Sequence, residues 1–191
     1  FGGALVAIAT LLVHVGGFSA VVRVVPQLTS HEGYFLHGFE AARDPILRKL
    51  DTIENRDAVL APDGSRAEWP KADVVVGNPP FLGNKKMIGE LGEAYTVTLR
   101  KAYPHVPGGV DLVAYWFALA WEMMQAGELK RAGLVCTNSI RGGANREVLK
   151  PIVDGGRIFE AWGDEAWTVD GAAVRVSMVC FDPTKGSGRL A

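Results

Sequence analysis

The chain has 191 residues, of which 48% are hydrophobic and 21% charged, with a formal net charge of −1. Such a chain can bury a core, which excludes the disordered, collagenous and low-complexity classes. A near-neutral balance excludes a global basic field for nucleic acid or an anionic membrane, though not a local basic patch.

Residues 3–22, GALVAIATLLVHVGGFSAVV, form an uncharged apolar stretch with one His. It is about as long as the roughly 20 residues a bilayer-spanning helix needs. No basic region precedes it, as a signal peptide would require. Gly16-Gly17 interrupts it and favours the competing reading: a buried helix over 4–13, then a strand over 20–25, inside an α/β core. Opening on Phe1 rather than Met, the chain reads as a fragment of something longer.

Helical spacing follows from about Tyr34 to Leu50, with Pro45 inside it. Residues 52–60 contain a short strand-like segment, and 61–70 a polar loop with Pro, Asp and Gly in turn chemistry. ADVVV (72–76) is a continuous β-branched run, as in a strand covered on both faces. It leads into Asn78-Pro79-Pro80-Phe81 and a Gly- and Lys-bearing segment, LGNKKMIGELG.

Residues 110–126 read as a strongly apolar helix. Asp111 would sit near its positive end, Gly127 would cap it, and Tyr115 and Trp116 would belong to the core. A buried strand over 132–139, a short helix over 145–156, and strands over 157–163 and 174–182 joined by a turn at 168–173 complete the pattern. Residues 183–191 read as a tail or linker. Alternating strands and helices with a final strand pair predict a doubly wound α/β fold: a mostly parallel sheet, helices on both faces and a C-terminal antiparallel hairpin.

Cys136 and Cys180 lie far apart in apolar runs and fit neither a zinc spacing nor a redox pair; they read as buried free thiols in a reducing cytoplasm. The four histidines form no metal-ligand pattern, so no metal is expected.

In open α/β sheets, ligands bind beyond the carboxyl ends of the strands, where Asn78–Phe81 would lie. Proline fixes φ and removes an N–H, and it pushes the preceding residue out of the helical region. Asn78-Pro79-Pro80 is therefore a stiff, extended loop. It can hold the Asn78 amide oxygen and the Pro79 carbonyl in one geometry as two acceptors for an amino group. Phe81, expected to be exposed, could stack on a planar ring. An exocyclic amine on a nucleobase meets that description; an ordinary Pro-Pro turn with a buried Phe meets it equally from these residues alone.

GNPPF after an acidic, apolar strand resembles the [DNS]-P-P-[YFW] motif of amino-group methyltransferases. WPKADVVVGNPPFLGNKKM, VDLVAYWF, AGLVCTNSIRGGANREVL and IFEAWGDEAWTVDGAAVRVSMVCF follow in order over roughly residues 66–182. Together they are similar to the adenine-N6 DNA methyltransferases of single-chain (type IIL, type IIG) restriction–modification enzymes. The resemblance implies S-adenosylmethionine as methyl donor and a flipped adenine in DNA as acceptor. It implies that Asn78 and Pro79 hold the amine, Pro80 shapes the loop, and Phe81 stacks on the base. By the same resemblance, Glu32, closing VVPQLTSHE, would grip the cofactor ribose, and Asp57 in IENRDAVL its adenine; a solvated Glu and a turn-capping Asp are the structural alternatives. Ile53 and Val59 would flank the adenine or join the core.

The Gly-rich cofactor loop of the DPACGSGNF kind has no match, nor does a D…ExK nuclease motif or a recognition domain. The expected organisation is a catalytic domain over 1–182, with 1–65 its divergent or truncated cofactor part and 66–182 its matched part, followed by a tail. Recognition and nuclease domains would belong to the full-length parent. Lys85, Lys86, Arg141 and Arg146 could touch DNA phosphates or simply be solvated. The same fold acting on cytosine N4, RNA or a protein glutamine, and an inactive truncated scaffold, are the rival readings; no membrane partner is expected.

Overall fold

The computed structural model describes residues 6–14, 17–25, 53–169 and 172–190. Glu32 and the expected helix from Tyr34 to Leu50 lie outside them.

The first described element corrects the sequence reading. Residues expected as a helix form strand β1 (Val6–His14), and β2 (Gly17–Val25) returns beside it from His14↔Gly17 to Val6↔Val25. Val6, Ile8, Thr10 and Val13 are β-branched, which disfavours helix and suits a pleated surface. The two strands are divided between His14 and Gly17, as the glycine pair predicts. The apolar stretch is thus divided between two strands, and no helix among the described residues is long and apolar enough to cross a membrane.

Strand β3 (Ile53–Arg56) pairs antiparallel with β2. The loop after it folds on itself: Asp63 Oδ1 accepts from the Ser65 amide at 2.9 Å, and Ser65 O accepts from the Ala61 amide at 2.8 Å. Strand β4 (Ala72–Gly77) then runs parallel to β1 on one side and β5 (Leu129–Thr137) on the other. Its cover is less complete than the apolar run implies. Ala72, Val75 and Gly77 are buried, but Val76 is 46% exposed.

Two helices that the sequence reading passed over follow: α1 (Asn84–Leu91) and α2 (Glu93–Ala102), separated by Gly92 at φ 86. Met87 is the buried residue of α1, and Thr96 and Leu99 are those of α2. Helix α3 (Ala114–Gln125) buries ten of its twelve residues, Tyr115 and Trp116 among them, as expected. Gly127, at φ 72, ends it in the left-handed conformation that glycine adopts without steric penalty. Glu122 is the acidic residue of α3 and pairs with Arg66 and His105.

After β5 come a 3-10 turn (Asn138–Arg141) and α4 (Gly143–Gly155), whose end abuts Trp121 of α3. Strands β6 (Arg157–Val169) and β7 (Ala172–Asp182) form the expected antiparallel hairpin, longer than the sequence suggested. Strand β5 pairs with β7 only as far as Thr137↔Val176, so the hairpin tip projects beyond the carboxyl end of β5. Two residues of the segment read as a tail form β8 (Arg189–Leu190), parallel to β6.

The sheet order is β3-β2-β1-β4-β5-β7-β6-β8. Following the pairings outward from β4 among the described residues, only β2 and β7 oppose it, so six of the eight described strands run the same way. The fold is therefore an α/β sheet of mainly parallel strand direction with an antiparallel C-terminal hairpin. Its core lies where α3 meets the sheet: Phe117 stacks on Phe181 of β7 at 5.5 Å, and Tyr103 meets Tyr115 edge-on at 5.2 Å. Cys136 is buried and Cys180 half-buried, both as free thiols; burial pushes the Cys136 thiol up to about 12.

Candidate active site

Strand β4 delivers the chain to the carboxyl edge of the sheet, its last register pair being Gly77↔Leu134 of β5. The next four residues divide by function. Pro79 and Pro80 are buried and anchor the loop, whereas Asn78 is exposed. Among the described residues, nothing is hydrogen-bonded to the Asn78 side chain or the Pro79 carbonyl. Phe81, expected to be exposed, is half-buried.

Backbone bonds hold the exit from the loop. The Leu82 amide donates to Pro80 O at 3.0 Å, and the Leu112 amide donates to Leu82 O at 2.9 Å. Immediately afterwards, the Asn84 amide donates to Asp111 Oδ1 at 2.9 Å, and the Arg100 guanidinium donates to Asn84 Oδ1 at 3.0 Å. Asp111 stands just before α3, as its place near that helix's positive end requires, and its side chain serves other segments as well.

Its second oxygen, Oδ2, accepts from Ser139 Oγ at 2.6 Å and from Asn145 Nδ2 at 2.8 Å. Asn145, itself buried, accepts from the Asp111 amide at 2.7 Å. One carboxylate therefore joins the starts of α1 and α4 and the 3-10 turn. Lys85 and Lys86 follow Asn84 on α1, while Arg141 and Arg146 flank the start of α4. All four are exposed, on segments tied together at Asp111.

A second polar chain continues toward the hairpin. Asn138 donates to Asp164 Oδ1 at 2.6 Å and accepts from Ser177 Oγ at 2.7 Å. Asp164 sits at φ 67 where the β6–β7 register shifts, and Arg175 grips it through two nitrogens at 3.1 and 2.7 Å. The Arg175 bonds, helped by Asn138, hold its carboxyl down at about 2.

Asp57 follows β3. Its Oδ1 accepts from the Val59 and Leu60 amides at 2.8 and 3.0 Å, the turn-capping geometry; its Oδ2 accepts from Tyr95 OH at 2.7 Å. Burial, followed by the Asp57 charge, raises the Tyr95 pKa far above its ordinary value, so this hydroxyl remains a donor. A carboxylate has about four acceptor positions, and three are in use. Asp57 also lines a cleft of about 840 Å³, together with Asn55, Arg56, Leu60, Arg66 and Tyr95 among others. That volume suits a nucleoside-sized ligand. Val59 is fully buried and belongs to the core. Among the described residues, no group of His, Cys, Asp and Glu side chains is arranged to hold a metal ion.

The network around Asp111 and the Tyr95–Asp57 bond were missed in the sequence. The polar residues involved are scattered along the chain from Asp57 to Asn145, and only folding collects them.

A family model described as MmeI, DNA-methyltransferase domain, matches residues 47–190. Among solved structures, the type IIL restriction-modification enzyme MmeI in complex with DNA is 25% identical, with a TM-score of 0.49 over 60% of this chain. The type I restriction-modification methyltransferase subunit from Streptococcus thermophilus is 17% identical, with a TM-score of 0.41 over 69% of this chain. The chain covers only 16% and 27% of the lengths of those two proteins. No curated protein matches it.

Proposed function

This chain belongs to the MmeI DNA-methyltransferase domain family, and from that premise we propose that it transfers methyl from S-adenosylmethionine to N6 of a flipped adenine in DNA. It would serve as the modification half of a restriction–modification enzyme. The observation that carries the reading is the Asn78–Phe81 loop at the carboxyl end of β4. Its prolines are buried, its Asn78 amide is exposed, and its aromatic ring is partly open.

The chemistry follows from those groups. The lone pair of an exocyclic amine is delocalised into the ring, so the nitrogen is a poor nucleophile. Asn78 Oδ1 and the Pro79 carbonyl, accepting its two hydrogens, draw the nitrogen toward a tetrahedral shape and localise that pair. Phe81 holds the ring plane by stacking. The cofactor supplies a methyl group activated on a sulfonium, and the chain's contribution is orientation and hydrogen bonding. An adenine reaches this loop only by leaving the duplex.

The fourth acceptor position of Asp57 and the cleft beside it fit the amino edge of the cofactor's adenine, and Glu32 is assigned to its ribose. Lys85, Lys86, Arg141 and Arg146 would contact phosphates, supplying affinity while sequence readout comes from a recognition domain of the full-length parent. Residues 1–182 would form the catalytic domain, with Arg189–Leu190 adding an edge strand to its sheet. The chain would act in the cytoplasm.

The test is tritiated-methyl transfer by the full-length parent, followed by mass spectrometry of the digested DNA. N6-methyladenine is the expected product, lost in Asn78→Ala. N4-methylcytosine, methylated RNA, or methyl on protein glutamine would replace this reading with a rival one.

A further inference from the structure

The Asn78–Phe81 loop is stiff within itself, but stiffness does not aim it. Its entry is fixed by β4 pairing on both sides. Its exit is fixed by two contacts to one short segment: Leu112 N to Leu82 O, and Asn84 N to Asp111 Oδ1. The second is the more exacting. Asn84 is the first residue of α1, and its amide is one of the donors a helix start leaves without an internal partner. No side chain of α1's own N-terminus caps it. Asp111 does so from 27 residues away.

The same carboxylate is itself aimed. Ser139 Oγ and Asn145 Nδ2 fix Oδ2, and Asn145 Oδ1 fixes the Asp111 backbone through its amide. Asn145 is 7% exposed, so water does not readily replace it. Gly83 lies against this point, where a Cβ would sit 3.6 Å from Asp111 Oδ1.

We propose that Asp111 is a positioning residue for methyl transfer: held by Asn145 and Ser139, it clamps the start of α1 and so sets where Asn78, Pro79 and Phe81 point. This rests on the amino-methyltransferase reading of that loop. Asp111 touches neither acceptor amine nor methyl donor; it acts through the Asn84 amide. A misplacement of about 1 Å in a reacting constellation costs about 10²-fold in rate.

The clamp has a polarity that can be exchanged. Asp111→Asn alone sets an NH₂ of residue 111 against the NH₂ of Asn145, or else removes the acceptor from the Asn84 amide. Adding Asn145→Asp restores complementarity at residue 111, giving up only the long 3.4 Å bond from Asn145 Nδ2 to Ser139 O: the new amide keeps its oxygen on Asn84 and donates to a carboxylate at 145, which still accepts from the backbone amide at 111.

The experiment uses the full-length parent with both single variants and the double variant. Two measurements are made. One is single-turnover methyl transfer at saturating DNA and S-adenosylmethionine. The other is hydrogen–deuterium exchange of the peptide covering residues 78–86. Asp111→Asn is expected to slow transfer about 10²-fold, with KM for DNA and cofactor changed less than about threefold, and to speed exchange in 78–86. The double variant is expected to recover the rate to within about fivefold and to restore protection.

Unchanged exchange in Asp111→Asn overturns the clamp, whatever the activity. Lost protection with an unchanged transfer rate shows a structural bond without a positioning role and equally overturns it. A double variant that folds but is not rescued does the same. If the unaltered parent methylates no DNA amine, the reading of the loop fails; the exchange measurement then still decides whether Asp111 holds it.

Discussion

At the scale of single residues, the loop divides its work between buried prolines and more open neighbours. Phe81 is half-buried, which leaves it reachable by the base that the proposed function stacks on it. Base–aromatic stacking is worth about 1–3 kcal/mol, so Phe81→Ala should lower kcat/KM on DNA by about 10- to 100-fold. Phe81→Tyr should stay within about threefold of the parent, and steady-state methyl transfer on one duplex checks both.

Asp164 offers a different test. Its carboxyl is held at about 2, below the ordinary 3.8, by Arg175 and Asn138. A depressed carboxyl contributes stability above its unfolded pKa and loses it as pH falls through the folded one. Asn tolerates the φ of 67 that this position requires. Asp164→Asn should therefore melt below the parent at pH 5 to 7, and the two melting curves should converge as pH falls from about 4 to about 2.

At the scale of elements, strong local signals were legible and weak ones were not. The β-branched run of β4, the apolar α3 with Gly127 behind it and the β6–β7 hairpin follow from side-chain period and turn chemistry. Helices α1 and α2 escaped because Gly89 and Gly92 interrupt them and little of α1 is buried. The β1–β2 pair was misread in part because a short apolar run suits a buried helix and a buried strand equally. Where elements meet closely, sequence is silent until the fold is known.

Gly156, between α4 and β6, is such a place. A Cβ there would run into the Asp182 carbonyl oxygen, with Pro183 Cα and Trp121 at 3.0 Å. The obstacle is mainly backbone, so Gly156→Ala should destabilise the chain by about 3 kcal/mol, the upper part of the overpacking range. Gly127→Ala meets no neighbour and bears only the left-handed backbone penalty, about 1 kcal/mol. Urea denaturation of both variants compares the two costs.

At the scale of the whole molecule, the C-terminal hairpin is joined at its base by an ion pair. Arg157, opening β6, reaches both oxygens of the 2% exposed Asp182 closing β7, at 3.1 and 3.2 Å. Arg157 is itself 30% exposed, and Asp182 keeps the Thr184 amide and hydroxyl and the nearby Arg131 when Arg157 is removed. Arg157→Ala should therefore cost about 2 kcal/mol, the value of hydrogen bonds to a charged group, whereas Lys150→Ala, in an exposed pair with Glu147, should cost less than about 1 kcal/mol; melting temperatures would rank them. The overall class was legible because element order constrains topology. The candidate site was legible only as its loop, since the groups that aim the loop are close in space and distant in the chain. That separation also has a consequence in time. The bonds converging on Asp111 bridge 27, 28 and 34 residues, and contacts of such span form only after intervening chain entropy has been overcome. During refolding, helical signal should return before hydrogen-exchange protection at residues 78–86, so the geometry of the Asn78–Phe81 loop would be among the last features to mature.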